Sequence, residues 1–187
     1  MSVFLQRFLK NKKYIFILYS IVLIMGFIFG FYQYHYSSQN IQELLQQLFY
    51  LPHQDYTNLY LIQSGIYIII CTYLSSSYIG FAGILFLGFI KGMHISFSIM
   101  YVCMHTKLGF LIIFIMLLEC ILELCLYIIM CVPYIYLSIY VLYVTFIVEQ
   151  NFNIKSILNY KLNVIIITLV LLCLSVMLRL YMIPLFS

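Results

Sequence analysis

Apolar residues fill long unbroken stretches of this chain, over residues 14–34, 59–78, 80–102, 108–132 and 162–181, and polar positions gather almost wholly between them. Each stretch is roughly 20 residues long, enough to cross a hydrocarbon layer of about 30 Å at about 1.5 Å per residue. Inside them, as from Ile165 to Leu174, apolar and polar residues do not alternate. A membrane barrel needs that alternation, and a backbone in lipid must satisfy its own polar groups, so the pattern predicts helices. The expected architecture is all-α. It is a polytopic helical membrane protein with about five transmembrane helices, in a single integral membrane domain covering residues 1–187.

The intervals carry their own pattern. Between His35 and Asn58 lies the longest polar stretch, with no Lys or Arg and with Glu43 and Asp55 as its acids. Within it Ile41, Leu44, Leu45, Leu48 and Phe49 recur at helical spacing opposite Gln42, Glu43, Gln46 and Gln47. This predicts a short amphipathic helix over residues 40–50, lying on the outer leaflet or against the bundle and ended by Pro52. Ser75, Ser76 and Ser77 mark a tight hairpin between the second and third runs. Pro133 interrupts the apolar stretch from Leu108 to Val148, which is too long for one crossing. Residues 133–148 are therefore expected to re-enter the membrane or lie in its interface, although a second crossing also fits.

Charge orients the layout. The formal charge is +4, and four of the nine Lys and Arg residues sit at Arg7, Lys10, Lys12 and Lys13. This cluster reads as a cytoplasmic topology signal rather than a nucleic-acid site, and it can also touch anionic lipid. Lys155 and Lys161 place the loop before the last run on the same side. The expected arrangement has the amino terminus in and the carboxyl terminus out, with the first run kept as an anchor because no small-residue cleavage site follows it.

Composition agrees with a bilayer as solvent: of 187 residues, 66% are hydrophobic and 7% charged, against about 25% charged in soluble domains. There are 19 Tyr and no Trp, so Tyr alone must serve the interfacial positions that the two usually share. Five of the six cysteines lie inside apolar runs, Cys103 lies at the end of one, and none forms a C-x-x-C pair; packed, reduced thiols are expected, with no metal and no cofactor.

Three charged residues fall near the middle of the runs: Lys91 in the third, and Glu119 and Glu123 in the fourth, one turn apart on one helical face. Such residues cost about 2.5–3.5 kcal/mol each on insertion scales and call for partners. The expected arrangement is a buried pair of Lys91 with Glu119 or Glu123 across a helical hairpin. A proton relay, a substrate site or a counter-charge from another membrane helix are the alternatives. Glycines point to close helix packing at Gly80, Gly83, Gly88 and Gly92 in the third run and Gly26 and Gly30 in the first. The two G-x-x-x-G pairs fit packing within the chain, and homo-oligomerisation is the other reading.

Catalysis is not expected. The outer polar stretch offers only His35, His53, Glu43 and Asp55, and the chain has no phosphate-cradling glycine loop, no H-E-x-x-H and no G-x-S-x-G.

Several segments, taken in order, resemble one family. The entry Tyr14-Ile15-Phe16 and the run Ile24-Met25-Gly26-Phe27-Ile28-Phe29-Gly30 are similar to the opening of the stage II sporulation protein M family. Leu85-Phe86-Leu87 leading to Lys91-Gly92, the Lys107-to-Phe110 loop and the Tyr181-Met-Ile-Pro184 ending resemble that family in matching order. The chain departs from it at Leu118 and Cys125, where family members carry prolines, and at Ser96, where they carry glycine.

The resemblance implies a membrane scaffold of the forespore engulfment machinery, located at the sporulation septum and the engulfing membrane. It implies partners as well: stage II sporulation proteins P and D, which remodel peptidoglycan, so that the chemistry belongs to the companions. On that reading the partner-binding surface is the outer segment carrying Ile41, Leu44, Leu45, Leu48 and Phe49, together with lipid-facing helix sides. The alternative function is a small transport protein or permease subunit using Lys91, Glu119 and Glu123, against which no internal repeat is found.

Overall fold

The computed structural model describes residues 12–36, 54–105, 110–148 and 154–186. Every element among them is helical. They are α1 (Lys12–Tyr36), α2 (Gln54–Leu74), α3 (Gly80–His105), α4 (Phe110–Tyr143) continued by a π-helical turn (Val144–Val148), and α5 (Ile154–Phe186). Among the described residues four segments are long and apolar enough to cross a membrane: Lys12–Tyr36, Gly80–Phe97, Cys120–Phe146 and Leu158–Met177. The apolar part of α2, Leu61–Leu74, is shorter. The expected outer helix over residues 40–50 lies outside the described residues.

The segment 133–148 is not a separate piece, because α4 runs unbroken through Pro133. A proline inside a helix removes one backbone donor, and local rules end or kink the helix there. Here the neighbouring turns are held by burial: Met130, Cys131, Tyr134 and Ile135 are fully enclosed. In apolar surroundings a helix tolerates proline when its neighbours support it. At 34 residues α4 is about 51 Å long, more than a hydrocarbon layer requires.

Contacts at successive levels give the helix directions. Tyr19 meets Gly88, Leu23 meets Gly92, Gly30 meets Met93, and the rings of Tyr34 and Phe97 lie 6.0 Å apart, so α1 and α3 run parallel. Tyr67 meets Tyr127, Thr72 meets Tyr134, and Ser138 donates to Ser77 O at 2.6 Å, so α2 and α4 are parallel as well. The α1–α3 contact is the most extensive among the described helices.

Its chemistry is simple. The buried face of α1 is Ile15, Tyr19, Leu23, Gly26, Gly30 and Tyr34, a seam at every third or fourth position. A Cβ on Gly26 would lie 2.1 Å from Phe89 O, and one on Gly92 would lie 2.2 Å from Leu23 O. The two backbones touch, which only small residues allow. The opposite side of α1, with Ile17, Ile21, Ile24 and Ile28, is exposed and as apolar as the seam. In a bilayer that face meets lipid, so inside and outside differ in side-chain size rather than polarity.

A compact turn joins α2 to α3, with Ser76 N donating to Tyr73 O at 3.0 Å and Ser77 N to Leu74 O at 2.9 Å. Gly80 is required there, since a Cβ would lie 1.7 Å from Leu74 O. The same end of the bundle gathers the start of α1 and the end of α4. The Lys12 ammonium sits 5.0 Å from the Tyr136 ring centre and 5.6 Å from that of Tyr160. Lys161 donates to Thr72 O at 3.2 Å and to Ser76 Oγ.

One polar tie between α2 and α4 can be tested directly. Thr72 Oγ1 lies 2.7 Å from Ile68 O and 3.0 Å from Tyr134 Oη, and Tyr134 is fully buried. Valine keeps the shape of threonine but strands the Tyr134 hydroxyl, which costs about 1–3 kcal/mol. Thr72→Val is therefore expected to lower the thermal midpoint, and Tyr134→Phe in the same chain should recover part of the loss. Melting of the purified variants in detergent checks both.

Candidate functional site

The polar centre of the bundle is built on α3 and α4. Lys91 Nζ lies 2.8 Å from Glu123 Oε1, with the two side chains 11% and 5% exposed. One turn along α3, His94 Nδ1 lies 3.3 Å from the same ammonium. Because an ammonium only donates, Nδ1 accepts, which places the proton of a neutral imidazole on Nε2. The Tyr127 ring, one turn beyond Glu123 on α4, presents its face 4.7 Å from Nζ. The cation thus meets a carboxylate, an imidazole nitrogen and a π face, in surroundings where each attraction is stronger than in water.

The arrangement follows from spacing. Glu123 and Tyr127 share a face of α4 at i, i+4, as Lys91 and His94 share one of α3 at i, i+3. The α1–α3 seam fixes the rotation of α3: with Gly88 under Tyr19 and Gly92 against Leu23, Lys91 must turn inward.

Of the sequence-predicted pair, the structure brings Lys91 to Glu123. Glu119 is one turn earlier on α4, and its side chain lies outside the described residues, as do Ile41, Leu44, Leu45, Leu48 and Phe49. Gly26, Gly30, Gly88 and Gly92 line the α1–α3 contact, and Gly80 and Gly83 face Leu74 across the α2–α3 turn. Among the described residues no cluster of three His, Cys, Asp or Glu could hold a metal. Cys71 and Cys131 are buried, whereas Cys125 and Cys173 are on the outside of the bundle, so packing inside the core does not extend to every thiol.

Sequence reasoning missed the aromatic and hydroxyl groups around the charge pair. Tyr67 packs edge-on to Tyr127 with ring centres 4.8 Å apart, and Tyr19 is fully enclosed beside Gly88. The signal for Tyr127 was its place one turn from Glu123, and for Tyr19 its place on the seam with Gly26 and Gly30.

No family model, curated protein or solved structure matches the chain. The fold defines a class nonetheless: among the described residues it is all-helical, with four helices long and apolar enough to cross a membrane, compatible with a multi-pass membrane protein.

Proposed function

We propose that the chain is a multi-pass membrane scaffold of the endospore engulfment machinery. On this reading it crosses the bilayer five times, amino terminus inside and carboxyl terminus outside, and anchors peptidoglycan-remodelling partners at the septal and engulfing mother-cell membrane. The partners are stage II sporulation proteins P and D, as the family resemblance implies.

The observation that carries the reading is that Lys91 and Glu123 close on each other between α3 and α4. An intramembrane ion pair is otherwise a first candidate for a transport or relay site. Here it ties two helices together, while the glycine faces of α1 and α3 are used against one another. A framework of this kind supplies position rather than chemistry. The common level of Lys12, Tyr136, Tyr160 and Lys161 at one end also fits a cytoplasmic face bearing the basic residues.

Affinity isolation of the tagged protein from sporulating cells is the test, with the two companions expected among the co-purified proteins. Deletion should stall engulfment while leaving vegetative growth normal. A nutrient-dependent growth defect with normal engulfment would instead select the transport reading. Replacing Leu44, Leu45 and Leu48 together by serine should reduce recovery of the companions at least several-fold; unchanged recovery would remove the outer segment as the docking site.

A further inference from the structure

A polar side chain at mid-depth on the outside of a membrane bundle has no water to turn to, and Gln63 on α2 is such a residue. It adjoins Ser64, whose side chain meets that of Tyr127, and Tyr127 faces the Lys91 ammonium, so Gln63 stands level with the charge pair. It also lies eleven residues before Leu74, about 16 Å along the helix axis and beyond the reach of a side chain to that end of the bundle. Yet Gln63 is exposed, whereas Ser64, Ile68 and Cys71 make up the buried face of α2. No described residue gives its amide a hydrogen bond. Its neighbours on the outside are Ile66, Ile70 and Tyr73, which are 51%, 40% and 79% exposed. With Gln63 they stand at i, i+3, i+7 and i+10, the spacing of a coiled-coil seam, where a single polar residue fixes register and the number of helices. Lipid can cover the three apolar residues but cannot bond the amide.

We propose that a second copy of this chain docks on the seam, α2 against α2 about a two-fold axis, with the two Gln63 amides bonded to each other. The inference rests on α2 crossing the bilayer, as in the five-crossing reading above. An amide carries both a donor and an acceptor, so two copies satisfy one another reciprocally, N–H to C=O in both directions, as a two-fold axis requires. A lysine or a carboxylate at this position would instead call for an unlike partner. Side chains such as glutamine bond across helices in membranes, and small residues are the other means of association there. That second means is already used up within the chain, because Gly26 and Gly30 of α1 are pressed against α3 and Gly92 against α1. The Gln63 seam is the polar association surface that remains on the outside of α2.

The test is self-association of the purified full chain in phosphatidylcholine vesicles, read by energy transfer between labelled copies as lipid dilutes the protein. Gln63→Leu leaves the face apolar and the interior untouched, and it is expected to raise the dimer dissociation constant about tenfold. Ile69→Leu, exposed but off the seam, should leave it unchanged. Absence of energy transfer in the unsubstituted protein, or an unchanged constant for Gln63→Leu, would overturn the proposal. Under a mild oxidant Gln63→Cys should give a disulfide-linked dimer several-fold in excess of Ile69→Cys and of the unsubstituted chain. Cross-linking of Gln63→Cys in cells to a different membrane protein, with no dimer in vesicles, would overturn the second copy in favour of a foreign helix. Labelling of Gln63→Cys by a membrane-impermeant maleimide, above that of the unsubstituted chain, would put α2 in water and bring down the five-crossing reading along with the dimer. A shielded Gln63→Cys that forms no dimer would sink the dimer alone.

Discussion

Gly26→Val is expected to remove most of the folded protein from the membrane. At Gly26 the first added carbon would already lie 2.1 Å from Phe89 O and 2.9 Å from its carbonyl carbon, both main-chain atoms of a helix that cannot rotate away. Relief requires α1 and α3 to separate, and their contact is the largest among the described helices. Overpacking a core costs about 1–3 kcal/mol where side chains can adjust. Here no side chain is in the way, so the cost exceeds that range and approaches the whole stability of a domain, about 5–15 kcal/mol. Gly92→Val, facing Leu23 O at 2.2 Å, should behave alike. Gly65 provides the contrast: a Cβ there meets nothing within 4 Å, and alanine in a helix is favoured over glycine by about 1 kcal/mol. Steady-state protein level and thermal melting of Gly26→Val, Gly92→Val and Gly65→Ala should therefore separate into two severe losses and one neutral or stabilised variant.

Lys91→Leu should be the next most damaging substitution, because it leaves Glu123 buried without its counter-charge. Breaking a buried pair from one side costs about 3–5 kcal/mol, whereas replacing both partners by apolar groups of similar volume is often neutral. Lys91→Leu combined with Glu123→Leu is thus expected to recover most of the level and melting temperature lost by Lys91→Leu alone. Lys91→Leu combined with Glu119→Leu should recover less. If the two double variants recovered equally, the assignment of Glu123 as the partner would fail.

The choice between those two glutamates shows where sequence reasoning ends. Their i, i+4 spacing puts both on one face, but one turn of register decides which of them Lys91 meets, and that register follows from how α3 and α4 pack. The helices themselves were legible because a backbone in apolar surroundings has so few ways to satisfy its own polar groups. The glycines of the α1–α3 contact were legible too, as small residues recurring at helical spacing. At Pro133 the local preference against a helix is real, yet the helix continues where Met130, Cys131, Tyr134 and Ile135 are enclosed. Tyrosine misled for a reason of its own. With 19 of them in the chain, an interfacial reading suits those near the helix ends, such as Tyr32 and Tyr36, and conceals Tyr19, Tyr127 and Tyr134 in the interior.

The parallel pairing of α1 with α3 also dictates an order of assembly during synthesis. As the chain leaves the ribosome, α1 reaches the bilayer long before its glycine-matched neighbour exists, and being apolar on every side it can wait there in lipid. Lys91 has no such freedom. Its counter-charge is encoded 32 residues later, at Glu123, so for that interval the insertion machinery must hold or hydrate an ammonium still without that carboxylate. A chain arrested between residues 91 and 123 should therefore stay near the translocation channel, and release into lipid should come only once α4 has arrived.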